Sequence, residues 1–334
     1  MKKYKNQLLY SFIISGAVLF SACGQSKAVP EEGELVETES ELVEETEEIK
    51  EEKKSVDKDA VNEETNEVSH IHGLELNPSS PGRYLIATHH GLIEFVGLQE
   101  AYVLGAMRDD FMGFSRVANT NYLMSSGHPG FDSELPDPLG FMWSEDNGQS
   151  WELRSLLGEY DFHALAASYQ DENHILGFAL DYKNNYQSLI FRSKDQGFTW
   201  ERIETNGLPL DHHGIYNLAF SPEDDNIVFA ATAKGLLQSK DSGVNWTKIL
   251  PGNITGFAVI GNKEVYYYDE TNEQLYHWIG DKSVEVSYPR EHGPINYLVV
   301  NEHGQLVVTT LNSSLLLKET DTSWNILIDH GKVQ

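Results

Sequence analysis

Thirteen histidines stand in this chain of 334 residues, and their grouping suggests chemistry more than their number does. His70 and His72 are one residue apart, His89 and His90 are adjacent within Thr88-His89-His90-Gly91, His128 precedes Pro129-Gly130, and His163 follows Asp161 by two. A neutral imidazole offers a lone pair to a transition ion, and imidazole suits copper, zinc, nickel or iron. Met112 would add a thioether, which favours copper. Asp110 and Asp161, each two residues before Met112 or His163, would add carboxylates and broaden the choice. An isolated histidine ordinarily bonds only backbone and water. The set points to a metal only if the fold gathers its members at one place.

The elements that would gather them are written in a repeat. Three segments read S-x-D-x-G-x-x-W, with Ser144, Asp146, Gly148 and Trp151; Ser193, Asp195, Gly197 and Trp200; and Ser239, Asp241, Gly243 and Trp246. In such a hairpin the Asp carboxylate accepts backbone N–H bonds, Gly supplies a positive φ, and Ser bonds locally. The Trp is then free to bury its ring between neighbouring sheets. Short apolar strands also recur every 40 to 50 residues or so, at Ile71–Leu74, Phe111–Phe114, Phe162–Leu165, Ile215–Leu218, Ile254–Phe257 and Ile295–Leu298. That spacing is the size of a four-stranded blade.

The phrase is the Asp-box, and its recurrence resembles the BNR-type β-propellers, which include sialidases, the sortilin ectodomain and photosystem II assembly factors. The resemblance implies an all-β propeller of four-stranded antiparallel blades. Six are expected, at about 70–105, 106–156, 157–207, 208–250, 251–289 and 290–330, with seven the alternative if a strand from the 60s completes the ring. Asp321-Thr322-Ser323-Trp324 reads as a decayed box, and Asp269–Trp278 as a further remnant. The Asp-box is a structural staple of enzymes and binders alike, so it says little about activity.

A propeller gives the histidines positions. Box hairpins join third to fourth strands at the bottom, so first strands begin, and second strands end, at the top of the central channel. The second residues of the six first strands are His72, Met112, His163, Tyr216, Thr255 and Asn296, expected to face the channel at one height. His90 or His89, His70 and His128 belong to the same face. His72, His163, His128 and His90 are the expected ligands, with Met112 auxiliary and copper or zinc the expected ion. His212, His213 and His292 read as surface residues.

Catalysis is the weaker reading. A glycosidase needs two carboxyls flanking the scissile bond, for which Asp110 and Asp161 are the candidates. The histidine-rich repeats do resemble bacterial lipoproteins given a glycosyl hydrolase label. Sialidases add an arginine cluster, whereas only seven arginines occur here, and only Arg108 is expected near the channel mouth. Ahead of catalysis stands the second reading, a sortilin-like binding or assembly module that grips a protein or glycan through its top loops. The long loop from His128 to Leu139, with Asp132, Glu134 and Asp137, overhangs that face.

Residues 1–23 read as a lipoprotein signal: Lys2, Lys3 and Lys5, an apolar stretch over 8–20, then small residues before Cys23, the sole cysteine. The apolar run is short of the ~20 residues a spanning helix needs. Lipidation at Cys23 would hold the protein at the bacterial cell membrane, on its extracytoplasmic face. Residues 24–69 read as a disordered acidic linker, since 31–69 carry 17 acidic residues against 4 lysines and no aromatic. The propeller, 70–334, carries 35 acidic and 16 basic residues. That balance argues against nucleic acid as a partner.

Overall fold

A computed structural model describes residues 62–210 and 214–334. The signal segment with Cys23, most of the acidic linker, and His212 and His213 lie outside the described residues. Among the described residues, regular structure is β throughout apart from one 3-10 turn, Arg290–His292. Six antiparallel sheets follow one another, each built on a four-stranded meander. Their first strands are Ile71–Leu76, Asp110–Arg116, Tyr160–Ala167, Ile215–Phe220, Ile254–Gly261 and Ile295–Val300. These pack against one another in that order and the sixth returns to the first, so they wall a closed central channel.

The protein is a six-bladed β-propeller. Glu63–Glu64 starts no seventh sheet; it adds an outer strand to blade one by pairing with Glu100–Val103. Lys332–Val333 likewise widens blade six. The two additions meet: Val68 N–H donates to the Gly331 carbonyl at 2.9 Å, and Val333 N–H to that of Asn66 at 3.1 Å. The segment before residue 70 therefore helps to close the ring at the seam between blades six and one.

The apolar core lies between blades. Trp151 of blade two shares a cluster with Leu85, Ala87 and Leu92 of blade one, and Trp246 of blade four with Leu176 and Ile190 of blade three. Trp200 of blade three sits 5.1 Å, centroid to centroid, from the ring of Phe141 in blade two. Each box is thus a bolt driven into the preceding blade. Within the third box, Asp241 accepts the Asn245 N–H at 2.8 Å, while the Ser239 hydroxyl accepts the Gly243 N–H at 2.9 Å. Ser239 is fully buried, so Ser239→Ala leaves an amide without a partner. The expected loss is about 2 kcal/mol by urea unfolding, and an unchanged midpoint would contradict this role of the hydroxyl.

The two proposed box remnants fare differently. In blade six, Thr320 replaces the aspartate: its hydroxyl accepts the Ser323 N–H at 3.1 Å, while Asp321 is fully exposed beside Lys318. Asp269 belongs to the hairpin between second and third strands, at the opposite end of its blade from the boxes, and is therefore no remnant.

One irregularity aims the site. The first strands of blades one, three, four, five and six each carry an extra residue against the second strand, at His72, His163, Tyr216, Thr255 and Asn296. A bulge locally re-aims side chains. Repeated at one height, it puts an equivalent position at the start of each of these channel-lining strands. In blade two the bulge falls later, between Met112 and Ser115, and Met112 stays in register with Ser126. The expected equivalence of Met112 with His72 and His163 is therefore not reproduced by the backbone.

Candidate metal centre

Blades one to three supply the polar groups of the channel mouth. His70 and His72 come from the start of blade one's first strand, and His89 from the turn that follows its second. Asp110 begins the first strand of blade two, and His128, its direct pairing partner, ends the second. Asp161 and His163 lie at the start of the first strand of blade three.

These groups form two assemblies. In the first, a nitrogen from each of His70, His72 and His89 lies within 4.8 Å of the others. His72 Nε2 and His89 Nε2 are 3.2 Å apart. The other nitrogen of His89, Nδ1, lies 2.9 Å from Asp110 Oδ2. Burial lowers the pKa of His72 to about 4, against the pull of Asp110 and helped by His89, His70 and His163. His72 is therefore neutral at physiological pH, with a lone pair to give. Asp110 Oδ1 is buried and has no hydrogen-bond partner.

In the second assembly a carboxylate holds two imidazoles. Asp161, 2% exposed, places Oδ2 2.7 Å from His163 Nε2 and 3.4 Å from His128 Nε2. Asp137, folding back from the long loop, takes His128 Nδ1 at 2.8 Å, and Tyr182 Oη lies 3.5 Å from the same nitrogen. The hydrogen bond to Asp161 raises His128 to about 9, against burial and with help from Asp137. Burial alone would raise Asp161, but the bonds from His128 and His163 outweigh it and hold the carboxyl at about 2. His128 is thus a fixed cation and Asp161 a fixed anion. A carboxyl so acidic is unsuited to be the proton donor of a glycosidase.

The expected ligand set is therefore parted. His72 joins His70 and His89, whereas His163 and His128 are drawn to Asp161. His90 is exposed and does not join the group, its ring 6.5 Å by centroid from that of His89. Met112 is half-buried. Thr255 and Asn296, at two of the equivalent bulges, are occupied by the next blade: Thr255 Oγ1 donates to the Ile295 carbonyl at 2.6 Å and Asn296 Nδ2 to that of Ile71 at 3.1 Å. Among the described residues, the histidines and carboxylates gathered at the mouth come from blades one to three.

Several residues depart from their expected places. Arg108 turns outward, donating to the Gly105 and Met107 carbonyls and to Glu63. The arginine in the channel is Arg116, whose backbone N–H donates to Glu75 at 3.2 Å beside a lower cavity of about 190 Å³. Burial raises the pKa of Glu75 against the pull of the Arg116 charge. Both lie at the far ends of first strands, a height at which only the strand pattern could have placed them. His292, expected at the surface, is buried at 7% exposure. Asp109 was also missed: it is buried and pins the long loop by accepting the Gly130 N–H at 2.7 Å.

No family model and no curated protein matches the chain. Among solved structures it is similar to an ancestral GH74 enzyme, with a TM-score of 0.54 at 14% identity over 81% of this chain and 40% of that one. It is also similar to a putative gluconolactonase, with a TM-score of 0.54 at 12% identity over 80% of this chain and 93% of the other. The extracellular domain of a putative one component system from B. thetaiotaomicron gives a TM-score of 0.49 at 15% identity, over 80% and 35%. The chain thus spans well under half the length of the GH74 enzyme, and identities this low establish a common β-propeller fold and nothing finer.

Proposed function

We propose that this protein binds a divalent transition-metal ion, zinc foremost, at the top of its channel through His70, His72 and His89. The observation that carries the reading is the placement of two facing imidazole nitrogens. Tetrahedral zinc with Zn–N bonds of 2.0–2.1 Å separates its ligand nitrogens by about 3.3 Å, and His72 Nε2 and His89 Nε2 are 3.2 Å apart. Asp110 behind His89 Nδ1 supplies the carboxylate that orients metal-bound histidines and fixes their tautomer. Three imidazoles leave a coordination position open toward the channel mouth. Copper is the second choice, because the thioether that would favour it comes from a strand held in a different register.

The sequence supports delivery of this centre to the outside of the cytoplasmic membrane on a lipid at Cys23, with the acidic segment as spacer. A docked protein is the second reading, supported by Phe131, which stands fully exposed at the tip of the loop beside His128. The test is elemental mass spectrometry on the full chain, prepared without a polyhistidine tag, beside the double variant His72→Gln, His89→Gln. The variant should lose one equivalent of zinc while keeping its unfolding midpoint within a few degrees. Equal zinc in both proteins would overturn the reading.

A further inference from the structure

We infer a second transition-metal site, formed by His292, Asp329 and His330, where blade six meets the strand that closes the ring. It shares no residue with the channel mouth. His292 ends the 3-10 turn that leads into the first strand of blade six, Asp329 ends the fourth strand, and His330 follows it in the turn to Lys332–Val333. A donor atom from each lies within 4.8 Å of the others.

The spacing of the donors carries the argument. His292 Nδ1 is 3.0 Å from Asp329 Oδ1, and His330 Nδ1 is 2.8 Å from the same oxygen. Around an ion with bonds of 2.0–2.2 Å, donors subtending 90–110° lie about 2.9–3.4 Å apart, so each imidazole nitrogen already stands close to ligand spacing from the shared carboxylate oxygen. His292 is buried at 7% exposure, whereas His330 is about half exposed, which leaves solvent access for the remaining positions.

The backbone gives a second, independent observation. His330 adopts φ +48°, a left-handed conformation that costs a residue with a Cβ about 1–2 kcal/mol. Glycine would take that turn without the cost. What the histidine gains is a ring held against Asp329, its backbone anchored by the Ser314 hydroxyl, which accepts the His330 N–H at 3.0 Å. The next residue, Gly331, donates to the Ser313 carbonyl at 2.8 Å and accepts the Val68 N–H at 2.9 Å. An ion held here joins the entry to blade six, its outer edge and, one residue on, the segment that crosses to blade one. The site is a clasp at ring closure, suited to zinc or another ion that accepts two imidazoles and a carboxylate.

The test uses the full chain carrying His72→Gln and His89→Gln, so that the clasp is the metal site remaining. Zinc should bind at one equivalent per chain and raise the thermal midpoint by about 5 °C at saturation. Cobalt should give a visible absorption band from the same protein. Adding His330→Gln, an exposed change that leaves His292 on Asp329, should abolish the band and the zinc-dependent shift. A mouth variant that binds no zinc and shows no shift overturns the clasp whatever the wild type does. If instead the wild type and the mouth variant each bind one ion, both losing it with His330→Gln, the clasp stands and the mouth reading falls.

Discussion

Gly127→Ala is expected to cost more stability than any other single methyl added near the mouth, and to disrupt the proposed metal centre with it. Gly127 pairs with Phe111 next to the Asp110–His128 pair, at φ +137°. A Cβ there would stand 1.9 Å from the Asp110 carbonyl oxygen and 3.2 Å from the Met112 amide nitrogen. Neither is a movable side-chain end, so the two strands must part. The expected loss is about 4 kcal/mol, at the upper end for single substitutions. Because Asp110 orients His89, zinc binding at the mouth should weaken at least tenfold even in protein that remains folded. Gly304→Ala is the control, with φ +75° and nothing within 4 Å of an added Cβ. It meets only the left-handed backbone cost, about 1–2 kcal/mol. Urea unfolding of both variants decides the matter, and equal losses would refute the collision.

The second large effect belongs to Asp161→Asn. Removing one partner from a buried ion pair costs about 3–5 kcal/mol, because the remaining charge loses its compensation; here His128 can discharge, so about 3 kcal/mol is expected at pH 6. The pH dependence is the sharper readout. His128 has a folded pKa of about 9 against an ordinary 6.5, so its contribution is fully present below pH 6.5 and is lost as pH rises through about 9. Asp161, held at about 2 against 3.8, contributes above pH 3.8 and loses that contribution as pH falls through about 2. Because His72, held at about 4 against an ordinary 6.5, costs stability as pH falls from 6.5 toward 4, the wild type should be most stable near pH 6.5 and then decline on the order of 2–3 kcal/mol toward pH 9. In the variant only Asp137 remains on His128, and its carboxylate is 55% exposed. The decline should shrink by more than half. An undiminished slope would mean that Asp161 does not hold the His128 proton.

Blade count and strand positions were legible because each box and each apolar strand is a local signal with a local cause. The boxes could be placed at the bottom because their Asp, Gly and Trp perform the same task in every copy. The ring residues were legible as far as the bulge repeats, which is why His72 and His163 were found. Met112 departed because the choice of where to insert one extra residue depends on close packing: a Cβ on Gly113 would stand 2.4 Å from the Phe162 carbonyl of the next blade. The division of histidines between Asp110 and Asp161 was not legible either. It follows from which carboxylate a turn brings nearer, so that His89 reached the group and His90, one residue on, did not. His292 was misread because the partners of its ring, Asp329 and His330, lie 37 and 38 residues away in sequence, beyond any local pattern.

The bulges have a consequence for how such a molecule can change. Each presents one side chain to the channel from a residue that sits outside the strand register, so its identity is nearly independent of the inter-blade core. At blades four to six those sockets hold Tyr216, Thr255 and Asn296, the last two of which lock neighbouring blades together. At blades one and three they hold His72 and His163, which are left to the mouth. At these described bulges, load-bearing and chemistry are thus divided between two arcs of the same architecture. A new specificity would require exchange of side chains along the chemical arc alone, with the boxes and their tryptophans left as they are.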